Sequence, residues 1–250
     1  MSINESARQR YTRQLALPEI GEAGQAKLAA AHVLLVGVGG LGSPAGFYLA
    51  AAGIGTLGLA DGDRLDVSNL QRQIAHTTTD IGQLKVESAA RTFQALNPDV
   101  RVRLHPERLS PTNAGALLRD YDFVVDATDN FDSKYLIAVV CHTAGKPYSH
   151  AGVLRFFGQT LTVLPGQTAC YRCVFPDPPP PPTAPVGPLG VVPGVLGTIQ
   201  AAEAIKFVVG AGKLLTNRLL TFDALTMQFR EIAVRRNAAC PLCGKGSGHA

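Results

Sequence analysis

The 250-residue sequence predicts a doubly wound, mainly parallel α/β sheet continued by antiparallel strands. Three observations predict it. Short apolar runs end in glycine or in acid and alternate with segments of helical period, the pattern of buried parallel strands joined by crossover helices. The first run breaks into glycines spaced G-x-G-x-x-G at Gly37, Gly39 and Gly42, the turn by which a strand presents a nucleotide phosphate to a helix. After about residue 152 the alternation gives way to hairpin-like strand pairs.

The elements follow in order. Residues 1–30 read as helical and peripheral, and the first strand covers 33–36. A helix runs from Gly42 to about Ala52, and the second strand, "TLGLAD", ends in Asp61. Helix "KVESAARTFQALN" (85–97) stops before Pro98, and "VRVRL" follows with two-residue alternation. A short helix at 111–119, strand "DFVVDAT" (122–128), helix "DSKYLIAVVCHTAG" and strand "PYSHAG" complete the parallel half. Then "VLRFFGQTLTVLP" and "RLLTFDALTMQFREIAV" read as antiparallel pairs flanking the long apolar helix "VLGTIQAAEAIKFVVG". Five consecutive prolines (178–182) exclude helix and central strand; the stretch 174–193 is either a stiff spacer or a crossover loop near a site. The sequence therefore divides as one domain over 1–250: an N-terminal helical region (1–30), a nucleotide-binding half (31–151) and an antiparallel extension (152–250).

Composition narrows the function. With 46% hydrophobic and 17% charged residues there is material for a core and no signature of disorder. A net charge of +4 from scattered basic residues gives no case for a nucleic-acid partner and weakly favours acidic ones. No Asp, Glu, Lys or Arg occurs between Lys27 and Asp61, yet eight glycines and Pro44 divide that stretch, so no membrane span is expected. The polar N-terminus, "MSINESARQRYTRQ", has no secretory apolar segment, and a cytoplasmic location is expected.

The glycine turn and a strand-end acid at Asp61, placed to bind ribose hydroxyls, suit NAD as well as ATP. The residues downstream tip the balance. "DGDRLDVSNLQRQ" (61–73) carries Ser68, Asn69, Arg72 and Gln73, Lys85 opens the next helix, and "DATDN" (126–130) supplies Asp126, Asp129 and Asn130. Strand carboxyl ends are where such sheets bind ligands. Two cations and an exposed acid there suit a triphosphate and Mg²⁺ better than the apolar slot a nicotinamide needs. Cys170-x-x-Cys173 with Cys240-x-x-Cys243, in a chain without an export signal, favours a tetrahedral structural zinc over two disulfides or free thiols. The six histidines show no ligand spacing, and Cys141 reads as an inert core thiol.

Taken together, "RYTRQ" (10–14), "GVGGLG", "DGDRLDVSNLQRQ", "GQLKVESA" (82–89), "ATDN", the paired C-x-x-C and "GVLGTIQAAEAIK" resemble the MoeB/ThiF adenylyltransferases, relatives of the ubiquitin-activating enzymes. The likeness runs in order from Arg10 to Cys243. It implies a Rossmann-like fold with a four-cysteine zinc site, and ATP with Mg²⁺ as substrate and substrate metal. It also implies adenylation of the C-terminal glycine of a small β-grasp sulfur carrier ending in Gly-Gly, for molybdopterin or thiamin biosynthesis. Carried over by motif, Gly39, Gly40, Asp61, Ser68, Asn69, Arg72, Gln73, Lys85, Asp129 and Asn130 would bind nucleotide and metal, with Arg72, Lys85 and Asp129 catalytic. Arg13, also catalytic, would reach the nucleotide of the other subunit of a homodimer. "FDALTMQFREIAVRRN" leans towards the molybdopterin type. Some relatives carry a cysteine in the loop where "APVGPLGVVPGVLG" (184–197) has none. The expectation is that the reaction stops at the acyl-adenylate and a separate sulfur donor displaces AMP. The short tail after Cys243 leaves no expected rhodanese-like domain. Competing readings are an NAD-dependent oxidoreductase, a tRNA-base dehydratase of the same superfamily, and a non-catalytic protein that docks ubiquitin-like tails.

Overall fold

The computed structural model describes residues 4–180 and 187–244. Three short helices, α1 (Glu5–Arg10), α2 (Thr12–Leu15) and α3 (Gly21–Ala30), lead into β1 (His32–Val36). Then come α4 (Gly42–Ala51), β2 (Thr56–Ala60), α5 (Lys85–Leu96), β3 (Arg101–His105), α6 (Ala114–Leu118), β4 (Phe123–Asp126) and α7 (Phe131–Ala144). The antiparallel part holds β5 (Tyr148–Leu154), β6 (Phe157–Val163), α8 (Tyr171–Val174), α9 (Val191–Val209), β7 (Arg218–Asp223) and β8 (Gln228–Ala233).

The strands form one sheet in the order β3-β2-β1-β4-β5-β6-β7-β8. β3 to β5 run parallel, while β6, β7 and β8 add antiparallel partners. The chain order reverses between β1 and β4, and at such a switch point the two connections leave towards opposite faces and open a crevice. β1, β2 and β4 are apolar almost throughout because helices cover both of their faces. One core joins Leu35, Leu49, Leu57, Phe93 and Leu196, and a second joins Leu34, Tyr121, Val124, Ile137 and Tyr171 on the other side.

The helix expected at 111–119 is shorter, Ala114–Leu118, the strand expected at 122–128 ends at Asp126, and two larger differences bear on the architecture. "PYSHAG" and "VLRFF" are not separate strands: β5 runs unbroken through Gly152 and turns at Arg155, which has φ +55°. Its first residues pair with β4 in parallel and its whole length pairs with β6 antiparallel, so β5 joins the two halves. The long helix also begins four residues earlier than its predicted start at Val195. Pro193 does not prevent this, because in a helix's first turn the missing N–H has no partner to lose. Residues 191–193 of the expected crossover loop are thus helical, and Pro181 and Pro182 of the proline run lie outside the described residues.

α9 is long and apolar enough to cross a membrane. It is nonetheless packed against α4 and the sheet: a Cβ at Gly197 would lie 2.2 Å from the Leu41 carbonyl oxygen. On its buried face, Glu203 accepts from the Thr162 hydroxyl and the Leu215 amide at 2.6 Å each.

Candidate nucleotide-binding site

A cavity of about 820 Å³ occupies the crevice beyond β1 and β4, a size ordinary for a small-molecule site. Its floor is the glycine turn. Gly37 has φ +90° and presses on the exit of β4, since a Cβ there would sit 2.7 Å from the Ala127 carbonyl oxygen. A Cβ at Gly42 would sit 2.1 Å from the Gly37 carbonyl oxygen, so only glycine lets α4 start this close to the strand it follows. Gly39, Gly40 and Leu41 line the cavity, and among the described residues their amides have no protein acceptor. Unpaired amides at the N-terminus of a ten-residue helix form a cradle for an anion.

The acids and bases stand around that cradle. Asp61 accepts from the Val38 and Asp63 amides, both at 2.9 Å, which fixes its carboxylate at the cavity wall. Lys85 opens α5 and is buried, with its Nζ 3.2 Å from Asp63, whose other oxygen takes Arg108 at 2.7 Å. Burial raises the Asp63 carboxyl, but Arg108 and Lys85 outweigh it and hold the group below the usual carboxylate value. The Arg72 guanidinium donates to the Ser68 carbonyl at 3.0 Å while its stem lies beside Gly40. Gln73 is buried against Gly39, and its side-chain carbonyl has no protein partner among the described residues. Opposite, the Asp129 carboxylate is exposed at the cavity, and Asn130 caps α7 by accepting from the Ser133 amide at 2.9 Å.

Of the residues named from sequence, the structure brings Gly39, Gly40, Asp61, Arg72, Gln73, Lys85, Asp129 and Asn130 to this one cavity. Ser68, Asn69 and Arg13 are not among its lining residues. Ser68 offers its carbonyl to Arg72 and is itself exposed. The Asn69 side chain accepts from the Asp66 amide at 3.1 Å in a capping box. Arg13 is exposed on α2, and within one chain it does not reach the cavity.

Sequence reasoning missed Asp63, Arg108 and Asp132 as charged cavity residues, and a buried cluster behind Asp129. Asp63 carried a signal, standing two residues past Asp61 on the same loop; Arg108 carried none. In the cluster, Lys134, Asp126 and His150 are all buried. Lys134 donates to the Thr128 and Ala151 carbonyls at 2.7 Å each and lies 3.4 Å from the Asp126 carboxylate. His150 Nδ1 lies 2.9 Å from the same carboxylate. Burial raises the Asp126 carboxyl, yet Lys134 and His150 pull it down to about 2. Burial, with Lys134 beside it, pushes His150 down to about 4.

The four paired cysteines meet as expected. Their sulfurs all lie within 4.8 Å of one another, with separations of 3.8 Å (Cys170–Cys173), 3.5 Å (Cys170–Cys240) and 3.4 Å (Cys173–Cys243). Zinc–sulfur bonds of about 2.3 Å in a tetrahedron put sulfurs roughly 3.8 Å apart, so the set fits a closed structural zinc. Disulfides are absent among these cysteines, and Cys141 is fully buried with burial pushing its thiol up.

Comparison with known proteins agrees with this geometry. Residues 11–242 match the model of the ThiF family. The chain belongs to the ThiF family. A relative from Thermus thermophilus, named sulfur carrier protein adenylyltransferase, is 47% identical over 244 residues, covering 94% of this chain and 90% of its own. A SAMP-activating enzyme E1 from Haloferax volcanii is 43% identical over 250 residues, covering 98% of this chain and 92% of its own. Among solved structures, an E. coli MccB superposes with a TM-score of 0.86 over 98% of this chain and 76% of that one. At 23% identity that likeness concerns the fold of this ThiF-family chain alone.

Proposed function

We propose that this ThiF-family enzyme adenylates the C-terminal glycine of a small ubiquitin-like sulfur carrier ending in Gly-Gly, using MgATP. The observation that carries the reading is the meeting of Arg72, Lys85 and Asp129 over the unpaired amides of the glycine turn. A hydride-transfer site needs an apolar slot for nicotinamide, whereas this cavity is walled by three cations and four carboxylates: Arg72, Lys85 and Arg108 against Asp61, Asp63, Asp129 and Asp132.

In the reaction, a carboxylate oxygen of the carrier attacks the α-phosphorus. The bond from that phosphorus to the bridging oxygen breaks, and pyrophosphate leaves with the electron pair. The product is a mixed carboxylic–phosphoric anhydride. A C-terminal carboxylate is already ionised at neutral pH, so no general base is required. The enzyme's task is to hold two anions in line and disperse charge as it moves to the leaving oxygen. Asp61 would orient the ribose, the turn amides and Arg72 would hold phosphate oxygens, and Lys85, once off Asp63, would neutralise charge. Asp129, an exposed carboxylate at the cavity, suits a hard cation. Mg²⁺ held there would neutralise phosphate charge.

A role for Arg13 belongs to a homodimer in which α2 of one copy faces the cavity of the other. The cytoplasmic location, the molybdopterin or thiamin pathway and a separate sulfur donor complete the proposal.

ATP–pyrophosphate exchange against a panel of purified carriers ending in Gly-Gly tests it. Exchange should need one carrier and vanish when its last glycine is removed. Tight ATP binding with no exchange for any carrier would refute the proposal.

A further inference from the structure

Resting on that reading, we propose that His76 is a positioning residue that aims the Gly39 amide at the nucleotide phosphates. His76 stands outside every motif used so far and is buried beneath the glycine turn. Its Nε2 lies 3.0 Å from the Val38 carbonyl oxygen, and its Nδ1 lies 2.8 Å from the Ser88 hydroxyl. A carbonyl can only accept, so Nε2 carries the hydrogen, and in the neutral ring Nδ1 accepts from Ser88.

The consequence lies in the next peptide. The Val38–Gly39 bond is trans, as no cis peptide occurs among the described residues. In a planar trans peptide the carbonyl of one residue and the amide hydrogen of the next point in opposite directions. By drawing the Val38 carbonyl down into the protein, His76 turns the Gly39 N–H up. That amide lines the cavity and has no protein acceptor among the described residues. The other side of Val38 is fixed too, because its amide donates to Asp61 Oδ2 at 2.9 Å. The Gly39 carbonyl accepts from Ser43 at 2.8 Å in the first turn of α4. A flip of the Val38–Gly39 peptide would break the His76 bond and point a carbonyl oxygen, instead of an amide, at an anion.

Ser88 extends the link. It lies three residues after Lys85 on α5, on the same side of the helix. One imidazole thus ties the phosphate cradle to the helix that carries the lysine, and sets their separation.

The test uses the full chain and two probes, ATP and adenosine, whose affinities are measured by calorimetry. Adenosine shares the base and ribose but lacks the phosphates. In wild type ATP should bind more tightly than adenosine; if it does not, the nucleotide reading fails and this inference falls with it. Given that preference, His76→Leu should weaken ATP by about tenfold or more, the scale of a lost hydrogen bond to a charged group, and leave adenosine nearly unchanged. His76→Gln, whose amide nitrogen can occupy the Nε2 position, should recover part of the loss. Ser88→Ala should shift ATP in the same direction by less, and with His76→Gln it decides the matter if His76→Leu does not fold. A His76→Leu protein that keeps the wild-type ratio of ATP to adenosine affinity, or loses both ligands equally, overturns the assignment.

Discussion

Lys134 Nζ donates to the Thr128 carbonyl at 2.7 Å, immediately before Asp129 in the chain. A buried ammonium on α7 therefore shapes the loop that carries the proposed metal ligand. Its Coulombic partner Asp126 is 1% exposed, so neither charge has water to fall back on. Without Lys134 the Asp126 carboxylate would stay buried with its hydrogen-bond donors His150 and Thr128 but with no counter-charge. Lys134→Met should cost about 3–5 kcal/mol of stability, measured by urea denaturation. In protein that remains folded, the Mg²⁺ concentration for half-maximal pyrophosphate exchange should rise.

Lys85 and Arg108 share the Asp63 carboxylate, but they differ in burial: the side chains are 9% and 83% exposed. Charge stabilisation is strongest where water is excluded. Lys85→Ala should therefore lower pyrophosphate exchange by ~10²-fold or more, while Arg108→Ala should lower it far less. Steady-state exchange assays on the two variants compare them directly, and wild-type rates in Lys85→Ala would remove the lysine from the mechanism.

The buried cluster also sets a pH dependence. His150 ordinarily titrates near 6.5 and is held at about 4 in the fold. A depressed folded value means that the unfolded chain binds the extra proton first, so stability present above 6.5 is lost as pH falls towards 4. The shift corresponds to roughly 3 kcal/mol. Asp126, held at about 2 against an ordinary 3.8, adds a second loss as pH falls from 3.8 towards 2. Denaturant midpoints at pH 7.5, 5.5 and 4.5 should fall in wild type. They should fall less in His150→Asn, which keeps a donor at the Nδ1 position without the titration.

The cysteine site reaches this cluster through aromatic contacts. The rings of His150 and Tyr171 are 4.6 Å apart, and Tyr171 follows Cys170 in the chain. Structural zinc contributes directly to folding free energy. Purified protein should contain about one zinc per chain, the stoichiometry of a closed four-thiolate site. Cys240→Ser should lower both the zinc content and the melting temperature, the latter by about 10 °C.

Much of the site was legible in linear order because its parts are local. A glycine turn needs its glycines at fixed offsets along a few residues, and Asp61, Lys85 and Asp129 sit where strands end or helices begin. The cysteine pairs were legible for the same reason, since each C-x-x-C is a local unit whose chemistry demands a second. Ser68 and Asn69 stand outside the cavity lining because short polar residues serve backbone capping and turns as readily as ligand binding. Arg108 was missed because its place depends on how the loop after β3 lies against Gly62, 45 residues from the Asp63 it pairs with.

By itself, then, the sequence determined the parallel alternation, the glycine cradle, the four-cysteine cluster and the membership of the chain in its family, all encoded in short spacings. Only the tertiary structure decided that β5 runs on from one half into the other and that Lys134, Asp126 and His150 meet. It also decided that His76 lies under the Val38 carbonyl. Those outcomes depend on burial: whether a charge or an imidazole is a solvated surface group or a buried, hydrogen-bonded one is set by neighbours distant in sequence, and spacing carries no record of them.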